Sequence, residues 1–191
     1  MSQTISEIYK KIIENIVGKA YKLPITKNKG GPGQFLEDLV GIAHTSNCLD
    51  CSDGELKAFP VKKLQNGKLS PKETVAVTML SKDELLTNDF NSSKCCKKME
   101  KILFVPYLRN GDDICFLMPT IIDKNNLEFA DLYAVIESDY NLIRQKYIEH
   151  GVLGSKDGIL LQNRTKGAKG STSRAFYLRS DFMKQYIPIS L

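Results

Sequence analysis

The chain has 191 residues, enough to bury a sizeable core in one domain without disulfide or metal staples. Its charged and apolar fractions are those of a folded protein, and no apolar run approaches the length of a membrane span. The formal charge of +5, from 27 Lys and Arg against 22 Asp and Glu, permits a nucleic-acid partner without demanding one. In chain order, Ile5, Ile8, Tyr9, Ile12, Ile13 and Ile16 recur at helical spacing behind a Thr4-x-x-Glu7 capping box, with Gly18 as the stop. Gly30, Gly31 and Gly33 around Pro32 lead into a second helix carrying Phe35, Leu36, Leu39 and Val40 and ending near Gly41. Strands are predicted at 55–61 and 74–80, with Asn66-Gly67 suited to a turn between them. Ser81 to Glu84 resembles another capping box. The apolar runs 102–107 and 114–118, separated around Asn110-Gly111, predict a strand pair with cover on both faces of at least part of the sheet.

Phe129, Leu132, Tyr133 and Ile136 predict a helix, and Asp139 is read as the cap of a further helix carrying Leu142, Ile143 and Tyr147 before Gly151. Late strands are predicted at 159–161 and 175–178, with a short helix over 181–186. The segment from Gln162 to Ser171 is basic, small and hydrogen-bonding, and is predicted to be a loop. Helices flanking a mixed sheet in a single α/β domain, residues 1–191, is the resulting architecture.

The five cysteines are Cys48, Cys51, Cys95, Cys96 and Cys115. An odd count and an N-terminus without a signal-peptide core fit a reducing cytoplasm and no membrane association. Cys48-x-x-Cys51 with Cys95-Cys96 makes a poor zinc set, because adjacent cysteines chelate badly together. They read better as small hydrophobes. His44 and His150, near helix ends, carry no assigned chemistry.

The positive charge is concentrated. Lys156, Arg164, Lys166, Lys169, Arg174, Arg179 and Lys184 face only Asp157 and Asp181 in their segment, which therefore carries the whole formal excess. A second knot holds Lys94, Lys97, Lys98 and Lys101 against Glu100. Either cluster alone is an ordinary solvated surface; beside a metal site they form a phosphate-binding one.

The segment Asp50-Cys51-Ser52-Asp53-Gly54-Glu55-Leu56-Lys57 supplies that candidate site. In an extended chain Glu55 and Lys57 share one face and Leu56 takes the other. Two carboxylates can hold a hard cation such as Mg²⁺, and a lysine beside them can orient a water toward a phosphodiester.

With these residues in view, the chain resembles the MutH-type endonucleases, which include the mismatch-repair nicking enzyme and related type II restriction endonucleases. The resemblance rests on four ordered segments: 30–41 (GGPGQFLEDLVG), 54–61 (GELKAFPV), 101–106 (KILFVP) and 174–179 (RAFYLR). It implies a restriction-endonuclease-like (PD-(D/E)xK) fold with a cleft between two subdomains. It implies catalytic roles for Glu37, Glu55 and Lys57, and for a later lysine at Lys98, with Lys97 and Lys94 as alternatives. It places the metal-binding aspartate where an ungapped comparison finds Cys48, so a shortened connection assigns the metal to Asp50 and Glu55, with Asp53 as the alternative to Asp50. Mg²⁺ is the implied cofactor and double-stranded DNA the implied substrate. A homodimer on DNA or a second restriction or repair subunit is the implied partner where both strands are cut. Base edges would be read by Arg164, Lys166 and Lys169 with Gln162 and Asn163, and the surface extended by Arg174 and Arg179. Tyr177 is open between a core aromatic and a groove contact.

Overall fold

A computed structural model describes residues 3–24, 30–43, 48–168 and 170–190. The chain forms two compact units, one built from residues 1–73, 101–122 and 184–191, the other from 74–100 and 123–183.

The first unit begins with α1 (Ile5–Asn15), whose capping box is fully made: the Thr4 hydroxyl accepts from Glu7 N, and the Glu7 carboxylate accepts from Thr4 N at 2.7 Å. β1 (Ala20–Lys22) and α2 (Gly31–Val40) follow. β2 (Glu55–Lys63) turns at Asn66-Gly67 into β3 (Leu69–Pro71), a short antiparallel partner. The strand over β4 (Val75–Met79) forms as predicted, but not across that turn from β2: it belongs to the second unit. The other strands of the first sheet come later in the chain, as β5 (Lys101–Asn110), β6 (Asp113–Phe116) and β7 (Thr120–Asp123). The order is β1-β6-β5-β2-β3, with β7 also on β5, and the sheet is mixed because β2 and β5 are parallel while β1–β6, β5–β6 and β2–β3 are antiparallel. Ile5, Ile8 and Ile12 of α1 and Leu36 and Val40 of α2 pack with Leu56, Leu103, Val105 and Phe116 into one core.

Gly54 lets β2 start where it does. A Cβ there would lie 2.4 Å from the Lys101 carbonyl oxygen and 2.7 Å from Ile5 Cγ1, and the first obstacle is backbone that cannot step aside. Gly54→Ala should therefore destabilise the chain by about 1–3 kcal/mol, read as a lowered denaturation midpoint; an unchanged midpoint would contradict this packing.

The second unit holds a three-stranded antiparallel sheet in the order β4-β9-β8, with β8 at Leu161–Thr165 and β9 at Arg174–Leu178. Two short helices, α3 (Lys82–Thr87, capped by Ser81) and α4 (Lys94–Met99, capped by Ser93), precede a long α5 (Ala130–His150). The chain closes with α6 (Ser180–Tyr186). Tyr140 of α5 packs between Phe90 and Phe176, with ring centroids at 5.5 and 5.3 Å.

Two expectations fail here for one reason. The break predicted at Asp139 does not occur, and α5 is a single helix. Asp139 points inward instead, 3% exposed, and accepts from the amides of Ile159, Leu160 and Leu161 at 2.7, 2.7 and 2.8 Å. That anchor lets the chain enter β8, so Gln162 to Thr165 are strand rather than loop; only 166–173 connects the two strands. Gly158, at φ +84° and with a Cβ position 1.9 Å from the Leu161 carbonyl oxygen, makes the tight approach possible. Cys51, Cys95 and Cys96 are buried and unbridged, as small hydrophobes would be. Among the described residues, no helix is long and apolar enough to cross a membrane.

Candidate active site

The approach to β2 is a tight turn in which Cys51 N donates to the Gly54 carbonyl at 3.0 Å. Its two aspartates point to different tasks. Asp53 accepts from Ile5 N at 2.7 Å and from Lys101 Nζ at 3.0 Å, so it ties the start of α1 to β5. These hydrogen bonds and the Lys101 charge hold its carboxyl below the usual range although burial opposes them. Asp50 accepts from Leu56 N at 3.1 Å through Oδ2, and that same oxygen lies 3.7 Å from Lys57 Nζ.

Leu56 enters the core while Glu55 and Lys57 occupy the opposite face of β2, as the alternation predicts. Lys57 Nζ donates to Glu55 Oε2. Glu55 is wholly buried, whereas the side chains of Lys57 and Asp50 keep 22% and 28% of their exposure, so the cluster opens to solvent on one side. Burial works to lower the Lys57 pKa, but the carboxylates of Glu55, Asp50 and Glu37 outweigh it and hold the group above its ordinary value. Lys57 is thus an ammonium at neutral pH, a donor and a charge rather than a base. The thiol of Cys51 is pushed up to about 12 by burial and by the neighbouring carboxylates, so it rests as a neutral thiol.

Glu37 stands half-buried on α2, where Leu36 and Val40 fix the helix in the core shared with Leu56. Its charge reaches both Lys57 and Cys51. Among the described residues, no group of three or more His, Cys, Asp or Glu side chains converges closely enough to hold a metal ion. Two carboxylates, Asp50 and Glu55, meet at Lys57. Two carboxylates are a donor set that a hard divalent cation can use when waters and a phosphate complete its shell. Lys98 lies half-buried on α4, in the second unit.

The residues expected to read bases divide sharply. Asn163 is fully buried: its Nδ2 donates to the Gly154 carbonyl at 2.7 Å, and its Oδ1 accepts from Arg174 Nε at 2.6 Å. Arg174 also donates through Nη2 to the Asn163 carbonyl. Gln162 is buried at 6% exposure, and Arg179 spends Nη2 on the carbonyls of Ser155 and Asp157. These four side chains are engaged in, or enclosed by, the base of the hairpin. Arg164 and Lys166 are exposed toward its tip. Arg164 Nη1 donates to Thr74 Oγ1 at 3.1 Å, and its guanidinium lies 5.8 Å from the centre of the Tyr177 ring. Tyr177, half-buried, is therefore the platform of an exposed arginine. Thr74, the partner of Arg164, carried no signal in the sequence because 90 positions separate the two. The loop between the strands has its own order: Ser171 Oγ donates to the Lys166 carbonyl at 2.8 Å and accepts from Ser173 N. Lys169 and His44 lie outside the described residues.

Comparison with known proteins gives the same direction. The family described as DNA mismatch repair enzyme MutH matches residues 45–146, just over half of the chain. The type II restriction enzyme Sau3AI of Staphylococcus aureus is 29% identical over 180 residues, a match that covers 83% of this chain but 36% of that enzyme. The chain thus spans about a third of the length of that relative. The DNA mismatch repair protein MutH of Buchnera aphidicola subsp. Baizongia pistaciae is 26% identical over 200 residues, covering 87% of this chain and 84% of that protein. Among solved structures, restriction endonuclease MvaI in complex with its cognate DNA matches with a TM-score of 0.50 over 100% of this chain and 98% of its own, at 11% identity. That likeness is one of fold: a mixed α/β sheet flanked by helices, of the restriction-endonuclease (PD-(D/E)xK) type.

Proposed function

This chain belongs to the MutH family of DNA mismatch repair enzymes, and from that premise we propose that it is a Mg²⁺-dependent, sequence-specific endonuclease of duplex DNA, acting as a restriction enzyme or its cleavage subunit. The observation that carries the proposal is the meeting of Asp50 and Glu55 at Lys57, on a cluster that is open on one side. Bound there, Mg²⁺ would polarise the phosphodiester and make a water more acidic.

The chain's own residues supply the rest. Asp50 and Glu55 are the ligands, and Glu55, carried on the strand and buried, fixes their orientation. Lys57 presents an ammonium to the scissile phosphate, where it positions the attacking water and stabilises the negative charge that grows on the phosphate oxygens. Glu37 on α2 adds to the negative charge that keeps Lys57 an ammonium. Lys98 is the remaining candidate to neutralise phosphate oxygens. Arg164 and Lys166 contact the duplex, where their exposed cations suit guanine edges or phosphates.

A second reading, a mismatch-repair-type nicking endonuclease, is supported by the match to the MutH relative, 26% identical over 84% of that protein. One active site on one copy nicks; cutting both strands would call on a second copy or a partner subunit.

The roles of the two aspartates separate the account from a nearby alternative. Asp50→Asn should lower Mg²⁺-dependent cleavage of a defined duplex by about 10²–10³-fold. Asp53→Asn should leave cleavage within a fewfold and lower stability by about 1–2 kcal/mol, through the weakened attachment of α1. Loss of cleavage in the Asp53 variant alone would move the ligand assignment to Asp53. Duplex binding without strand breaks in the unchanged chain, with or without Mg²⁺, would leave a noncatalytic DNA-binding module.

A further inference from the structure

Lys57 is held at the same oxygens that would hold the cation. Its ammonium donates to Glu55 Oε2 and faces Asp50 Oδ2 at 3.7 Å. Glu55 has no exposed surface, and a buried carboxylate requires nearby positive charge or a full set of donors. An ammonium and a divalent ion in contact with one pair of carboxylates repel each other strongly at such range. The lysine stem is flexible, and its partly exposed side chain has somewhere to go. A phosphate oxygen offers it a charge-assisted hydrogen bond as good as the carboxylate's.

We infer that Lys57 is an internal counter-ion that opposes cation entry until a duplex phosphate draws its ammonium away, so that divalent cation and duplex bind cooperatively. The inference rests on the endonuclease reading above and adds a regulatory step to that site: the cation is taken up chiefly on DNA. It also gives Lys57 opposite effects before and after the duplex arrives, which a residue that merely supports the cation ligands would not have. Coupling between two ligands is reciprocal, so the factor by which duplex tightens the cation must equal the factor by which the cation tightens duplex.

The test is calorimetric titration of the full chain with Ca²⁺, an oxygen-seeking divalent probe, with and without a defined duplex whose integrity is checked on a gel. Lys57→Met should bind Ca²⁺ about tenfold more tightly than the unchanged chain when no duplex is present. Duplex should tighten Ca²⁺ by about tenfold more in the unchanged chain than in the methionine variant, where only the phosphate's own ligation of the cation remains. Lys57→Arg, which keeps the positive charge, should resemble the unchanged chain. Equal or weaker Ca²⁺ binding by a folded Lys57→Met overturns the inference, as does a Ca²⁺ affinity in the unchanged chain that duplex does not alter. Should the methionine variant fail to fold, Lys57→Gln, which also removes the charge, takes its place in the same comparison. Strand cleavage in Mg²⁺ is scored separately: cleavage without a Lys57-dependent part of the coupling removes the inference and keeps the endonuclease, whereas that Lys57-dependent coupling without cleavage keeps the counter-ion and removes the catalysis.

Discussion

Lys57→Ala is expected to reduce Mg²⁺-dependent strand cleavage by at least about 10³-fold while changing duplex affinity by no more than a few fold. The asymmetry follows from where the ammonium acts. Arg164 and Lys166, exposed on the hairpin, carry the bulk of the proposed contact with the duplex, and they are unaffected by truncation of a side chain on β2. On the proposed mechanism, what is lost is a charge that acts in the transition state, when the phosphate oxygens are most negative. Single-turnover cleavage and gel-shift binding on the same duplex separate the two quantities. Cleavage by the alanine variant at the unchanged rate would remove Lys57 from the mechanism. A parallel loss of binding and cleavage would make it a simple phosphate contact.

The largest effect on folding should come from Asp139→Ala. Its carboxylate receives three backbone amides, and two of them belong to the buried residues Leu160 and Leu161. The third, Ile159, is exposed enough to turn to water. Two buried amides left without an acceptor cost about 2–5 kcal/mol together. For a chain of this size that is a fall of about 5–15 °C in the melting midpoint. The segment leading into β8 would loosen first, so the amides of Leu160 and Leu161 should lose protection from hydrogen exchange before those of the first unit's sheet. A midpoint within a degree of the unchanged chain's would contradict the role given to Asp139.

Asp139 also shows what a linear reading can and cannot reach. An aspartate ahead of Leu142 and Ile143 has the local appearance of a helix cap, but Asp139 lies inside α5 and starts no helix. Its donors, however, lie 20 to 22 positions further along, where no periodicity announces them. The capping box of Thr4 and Glu7 was legible because both partners fall within one helical turn. The alternation of Glu55, Leu56 and Lys57 was legible for the same reason: strand geometry alone decides which side chains share a face. The partner of β4 was not, because Val75 to Met79 pair with residues about a hundred positions away, and the Asn66-Gly67 turn leads to a shorter strand in between.

The two aspartates before β2 lie three residues apart, and the sequence prefers Asp50 while leaving Asp53 as the alternative. Tertiary contacts distinguish them: Asp53 is drawn off by the Ile5 amide and Lys101, each 48 positions away, which leaves Asp50 beside Lys57. In the basic segment, composition suggested one loop of base-reading donors. The strand instead turns Asn163 inward to Gly154 and Arg174, while Arg164 remains exposed over Tyr177. Charge was visible in the sequence; which charges face solvent was set by the register of β8 and β9.

The most direct measurement is incubation of the unchanged chain with defined supercoiled and linear duplex DNAs, with Mg²⁺ and with EDTA, followed by mapping of the ends. Breaks at discrete positions, bearing 5′-phosphate and 3′-hydroxyl ends, present with Mg²⁺ and absent with EDTA, are the predicted result. Intact DNA across varied sequences and divalent cations, from a chain that still binds duplex, would contradict it.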